Sequence, residues 1–282
     1  MAEPELFTLD STSEPYKFQL QVEPRICVGP PDSKFLFGGV GMASSVASLE
    51  RALQRPLLWA TTQYISYAQP GSAVDIEVIA PKIGKSVTQA RVIARVGERE
   101  IFTTNAALGE RGMEIEGQWA SAQVVPKPED CKPLEFPGAN NSKDLHTQLD
   151  TRVAKGIWGW RNATNEASPD GEITLWARAR SGKKIDQSML CIIADYVPGA
   201  SGPALGMKAG ANSLDNTIRI VRTDVETEWV MCCLKIYAVH DGFVHGRAHL
   251  FAEDGTLMAT ASQSCILRVW PGGEPPAGIK RD

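Results

Sequence analysis

Long apolar runs are absent from this 282-residue chain, and so is any block of like charge. A membrane-spanning helix needs about 20 predominantly apolar residues, so no membrane span is expected. The acidic beginning, Met1-Ala2-Glu3-Pro4-Glu5, lacks the pattern of a secretory signal, which makes the cytoplasm the expected compartment. With a net charge of −4 and both signs interspersed, the chain carries neither a nucleic-acid footprint nor a polybasic membrane patch. Cysteines number six, none at the two-residue spacing of zinc or redox pairs. Cys191, Cys232, Cys233 and Cys265 sit inside apolar runs and read as small buried hydrophobes in a reducing compartment. Without a secretory route the sequon Asn162-Ala163-Thr164 carries no weight. His240, His245 and His249 flank a turn and lack the helical spacing of a zinc pair. No serine occupies a Gly-x-Ser-x-Gly elbow, and no metal or cofactor is expected.

What is present is an order of elements that occurs twice. Phe37-Gly38-Gly39 opens an apolar-periodic helix over about 39–54, ended by Pro56, and strand-like runs follow at about 57–68, 73–81, 86–97 and 100–108. The turns Pro70-Gly71, Gly84-Lys85 and Gly97-Glu98 separate them. A second helix at about 185–197 again precedes four strand-like runs, at about 213–222, 228–239, 242–252 and 256–269. Gly97–Thr104 and Glu253–Thr260 match as charged hairpin turns between β-rich segments. The pattern predicts two copies of one α+β unit, over 16–110 and 169–270, joined by a proline-containing linker over 111–168. Residues 1–15 are expected to form a frayed tail, and the segment from Pro271 a disordered one.

Specific signals lie in the second unit: Ser213-Leu214-Asp215-Asn216-Thr217, then Glu228-Trp229-Val230, Gly242-Phe243-Val244-His245-Gly246-Arg247, and the hairpin from Asp254 to Gln263. With Phe37-Gly38-Gly39 and Gln69-Pro70-Gly71 in the first unit, their order and spacing resemble the acyl-CoA thioesterase II (TesB-like) family. The resemblance implies a double hotdog, in which each unit wraps an antiparallel sheet around one long helix. It also implies hydrolysis of acyl-CoA thioesters to free acid and coenzyme A, by a trio of Asp, a small hydroxyl residue and Gln in the second half.

Carried over by motif, Asp215 takes the position of the catalytic aspartate and Gln263 that of the glutamine. A carboxylate can position water and take its proton, and an amide can donate to a developing oxyanion. The first-half counterparts, Thr62 and Ala107, lack that chemistry, so one site per chain is expected. Tyr237 falls where the family carries the hydroxyl residue, a departure that admits a rearranged site, a slow enzyme or a non-hydrolytic acyl-CoA-binding protein. Gly38 and Gly39 are candidate substrate-binding residues, since a helix N-terminus offers free amides and glycine permits close approach. Packing explains these glycines equally well. Acyl-CoA is the expected partner, and a homo-oligomer the expected assembly.

Overall fold

The computed structural model describes residues 6–30, 32–134, 144–158, 168, 170–270 and 272. The first half contains β1 (Leu9–Ser11), β2 (Lys17–Gln21), β3 (Cys27–Val28), β4 (Phe35–Leu36) and α1 (Gly38–Leu53). It continues with β5 (Leu57–Tyr64), β6 (Ala73–Lys82), β7 (Val87–Val96) and β8 (Arg99–Gly109). The second half contains β9 (Leu149–Lys155), β10 (Glu172–Ala179), α2 (Gln187–Ala194) and α3 (Val197–Leu205). There follow β11 (Ala209–Ser213), β12 (Asp215–Ile220), β13 (Val230–His240), β14 (Phe243–Ala252) and β15 (Leu257–Val269).

Thirteen strands make one sheet in the order β1-β2-β6-β7-β8-β5-β12-β15-β14-β13-β10-β9, with β11 added on β15. Adjacent strands are antiparallel, including β5 against β12 at the centre. Outward from that seam the chain visits strands in the same order on both sides. The seam is zipped by Thr61 Oγ1 and Thr217 Oγ1, 2.9 Å apart. Alternation sets the inner face: Val74, Ile76 and Val78 of β6 and Ala90, Val92 and Ala94 of β7 are buried.

Helix α1 packs against β5, β6, β7 and β8 and touches α2. Every residue from Gly39 to Val46 is buried, which three serines in the helix would ordinarily forbid. Their hydroxyls are satisfied inside the helix: Ser44 and Ser45 donate to the Gly41 carbonyl at 2.8 and 3.2 Å, and Ser48 to that of Ser44 at 2.7 Å. The helix ends at Gln54, left-handed at φ 52°, whose amide donates to the Glu50 carbonyl.

The second helix departs from the expected single element at 185–197. Asp186 caps α2 by accepting from the Met189 amide at 2.8 Å, α2 stops at Ala194, and α3 begins at Val197. The Gly199–Pro203 stretch lies inside α3, ended by left-handed Gly206. The break falls at Asp195 and Tyr196, and it frees the Asp195 side chain from the helical surface.

The connecting segment is only partly irregular. Residues 118–133 lie along the outside of the second half, where Gln118 bonds Gly255 and Leu257, and Trp176 donates to the Pro126 carbonyl at 2.9 Å. Trp176, Trp229, Met231, Phe251 and Leu257 form a small apolar cluster beneath them. Strand β9 then adds to the sheet beside β10. The N-terminal tail is tied down as well, by β1 and by buried Leu6 and Phe7. All six cysteines are buried and unpaired. Asn162 and the chain beyond Gly272 lie outside the described residues.

Candidate active site

Asp195 is the centre of the polar cluster. Placed at the break between α2 and α3, it is 3% exposed, and its carboxylate gathers four donors. Oδ2 accepts from the Gly39 amide at 2.5 Å, at the N-terminus of α1. Oδ1 accepts from Gln263 Nε2, from Ser213 Oγ at 3.4 Å and, more weakly, from Asn216 Nδ2 at 3.5 Å. Gln263 also donates to Ser213 Oγ at 2.8 Å, so acid, hydroxyl and amide form one cluster.

Burial pushes the Asp195 carboxyl up to about 7; the hydrogen bonds from Gln263, Gly39, Ser213 and Asn216 oppose that rise. A carboxyl poised there exchanges protons near neutral pH. Around it, the buried Gln263 Oε1, Asn216 Oδ1 and Tyr64 Oη have no hydrogen-bond partner. The Tyr64 phenol is held well above its ordinary value, first by burial and then by the charge of Asp195, and so stays protonated.

The cluster borders a cavity of about 230 Å³ lined mainly by apolar side chains, among them Phe37, Phe102, Trp158 and Tyr196. Ser213, Tyr64 and Asp195 supply polar lining. Such a site, apolar with a few convergent polar groups, suits a small organic ligand. Two glycines make room for the cluster. A Cβ at Gly38 would come within 2.7 Å of Asp195 Oδ2, and one at Gly39 within 2.9 Å of Asp195 Cβ and Ile192 Cα.

The residues expected from sequence divide into two groups. Gln263, Gly38 and Gly39 meet at the cluster, but the Gly39 amide faces the Asp195 carboxylate, so it is not free for a substrate oxygen. Asp215 is elsewhere: it starts β12, opposite Gln63, and its Oδ1 accepts from the Ser264 amide at 2.8 Å across to β15. It does not line the cavity. Tyr237 is the extra residue of a β-bulge between Ile236 and Ala238, 61% exposed, with the Arg247 guanidinium 5.9 Å from its ring centre. It follows inward-facing Leu234 and Ile236 and so lies on the outward face of β13, a strand that supplies no residue to the cavity. Sequence reasoning missed Asp195, Ser213 and Tyr64. A lone acid two residues before the first residue of α3 gave no spacing signal, although Ser213 stood in the motif that marked Asp215. In the first half, Thr62 bonds Thr104, and Thr104 bonds Ser45, a buried hydroxyl chain with no ionisable member.

A family model described as the acyl-CoA thioesterase C-terminal domain matches residues 128–267. A crystal structure of a protein assigned as a thioesterase from Novosphingobium aromaticivorans DSM 12444 is 30% identical, covering 92% of this chain and 98% of its own, with a TM-score of 0.81. The chain belongs to the acyl-CoA thioesterase II (TesB-like) family. Two more distant structures agree in fold. A hotdog-fold protein from Alicyclobacillus acidocaldarius is 16% identical over 93% of this chain and 96% of its own, with a TM-score of 0.76. The acyl-CoA thioesterase II TesB2 of Mycobacterium marinum is 17% identical over 96% and 98%, with a TM-score of 0.68. No curated protein sequence matches the chain. This TesB-like chain therefore combines a hotdog-type antiparallel sheet with a buried Asp–Ser–Gln cluster. Among the described residues no helix is long and apolar enough to cross a membrane, and no group of His, Cys, Asp and Glu could hold a metal ion.

Proposed function

We propose that this protein is an acyl-CoA thioester hydrolase, built as a double hotdog from units at 16–110 and 169–270 with 111–168 between them. The identical strand order on either side of the β5–β12 seam supports the duplicated architecture. The observation that carries the activity is Asp195, a carboxyl with its pKa near neutrality, held against Gln263 and Ser213 beside an apolar cavity. In this reading the acyl group enters the cavity and a water sits between Asp195 and Ser213. Asp195 takes the water proton as its oxygen attacks the thioester carbon. Tyr64, protonated and unpartnered, donates to the carbonyl oxygen as it gains charge. Collapse breaks the C–S bond, and the proton on Asp195 passes to the departing coenzyme A thiolate. Gln263 holds the carboxylate and hydroxyl in register, and the positive end of α1 favours the ionised carboxylate through Gly39.

The base is thus assigned to Asp195, and Asp215 becomes the residue that fixes the start of β12. A non-hydrolytic acyl-CoA-binding role is the second reading, favoured by the outward position of Tyr237. The hydroxyl of Ser213 supplies what Tyr237 does not. A cytoplasmic homo-oligomer acting in lipid metabolism completes the proposal. The test is thiol release from acyl-CoAs of graded length by wild type, Asp195→Asn and Asp215→Asn. Asp195→Asn is expected to lose about a hundredfold or more, and Asp215→Asn less than about tenfold. The reverse order would return the base to Asp215. Tight acyl-CoA binding with no thiol release by wild type would establish the second reading instead.

A further inference from the structure

We propose that Arg99 and Arg268 form a binding site for the phosphates of coenzyme A at the open end of the cavity; this rests on the acyl-CoA reading above. The cavity runs from buried Asp195 to Tyr67, which is 50% exposed and marks the solvent end. Both arginines are fastened to that end. Arg99, at the start of β8, donates through Nη1 to Ser66 Oγ at 2.5 Å and to the Tyr67 carbonyl at 2.8 Å. Arg268, near the end of β15, donates through Nε to Asn212 Oδ1 at 3.2 Å. Asn212 Nδ2 in turn donates to Tyr67 Oη at 2.7 Å. Ser66, Tyr67 and Asn212 all line the cavity. One polar chain, Arg99–Tyr67–Asn212–Arg268, therefore crosses its rim from the first half to the second.

The partners of both guanidinium groups are neutral. Among the described residues neither arginine pairs with a carboxylate. Each is exposed and keeps further N–H donors, so two oriented and uncompensated positive charges face solvent at the rim. A planar guanidinium fork already held by one hydrogen bond loses less freedom on binding an oxyanion, and phosphate is the oxyanion it fits in bidentate fashion. Coenzyme A matches this layout: its thioester end is uncharged and slender, while its phosphates lie at the far end of the pantetheine arm. With the thioester at Asp195, those phosphates emerge on the side of the rim arginines. A fatty-acyl ligand without phosphate would have no use for them there.

The discriminating experiment compares one acyl group on two thiols, coenzyme A and phosphate-free N-acetylcysteamine. It uses the full chain and the double variant Arg99→Ala/Arg268→Ala. The expected result is a fall of at least tenfold in the kcat/KM ratio of the coenzyme A thioester to the N-acetylcysteamine thioester, about 1.4 kcal/mol. The loss should appear in KM rather than kcat, and the salt sensitivity of wild-type KM should flatten in the variant. An unchanged ratio would overturn the proposal, as would an equal loss on both thioesters. Titration calorimetry with free coenzyme A on wild type and variant reads the same site without turnover. If wild type hydrolyses neither thioester, the hydrolase reading fails, while equal calorimetric affinity of wild type and variant would sink the arginine site by itself.

Discussion

Asp195→Asn should make the protein more stable at alkaline pH while removing its activity. Burial raises the carboxyl from 3.8 to about 7, which corresponds to about 4 kcal/mol between its protonated and ionised forms. The folded-state pKa lies above the unfolded one, so between about pH 4 and pH 7 the folded chain retains a proton that the unfolded chain has released. Stability therefore falls as pH rises through that window, and the loss is complete above about pH 7. Asparagine does not titrate, so the variant escapes this loss. Its amide can accept from Gly39 as the carboxylate does, and rotation of the Gln263 amide would turn the unpartnered Oε1 toward the new donor. The measurable difference should approach zero near pH 4 and grow to at most about 4 kcal/mol at pH 8, several degrees in Tm for a chain of this size. Denaturation monitored across pH 4–9 measures that difference. For wild type, kcat/KM should rise with pH through about 7 as the carboxylate forms, and the variant should be reduced about a hundredfold or more at every pH. A stability difference that does not vary with pH would refute the assigned burial of charge. A variant with wild-type turnover would refute its role as base.

Three further substitutions probe the same cluster. Ser213→Ala removes a hydroxyl bonded to Gln263 at 2.8 Å, and thiol release should drop about tenfold or more while far-UV circular dichroism stays unchanged. Gly38→Ala brings a methyl group within 2.7 Å of Asp195 Oδ2, so it should cost about 1–3 kcal/mol in chemical denaturation and move the pH limb of kcat/KM. Tyr237→Phe alters an exposed residue outside the cavity, and steady-state hydrolysis should stay within about twofold of wild type.

Much of the fold was written in local pattern. The α1 helix from Phe37-Gly38-Gly39 to Pro56 and the long strands of both halves follow from apolar periodicity and turn chemistry, which need only neighbours in sequence. The two glycines were legible at the start of α1, whereas Gln263, in the interior of β15, was reached through the family resemblance. The placement of Asp215 and Tyr237 was decided by the tertiary structure. Tyr237 takes the outward face of β13 next to inward Ile236, and neither β13 nor Asp215 borders the cavity, which only the packing of strands and helices decides. Asp195 shows the limit most directly. Its chemistry depends on an amide 156 positions earlier and an amide side chain 68 positions later, brought together only when α2 crosses the start of α1 and β15 passes beneath. In isolation it is an ordinary aspartate; burial among those donors is what moves its pKa to neutrality, and burial is a property of the folded chain.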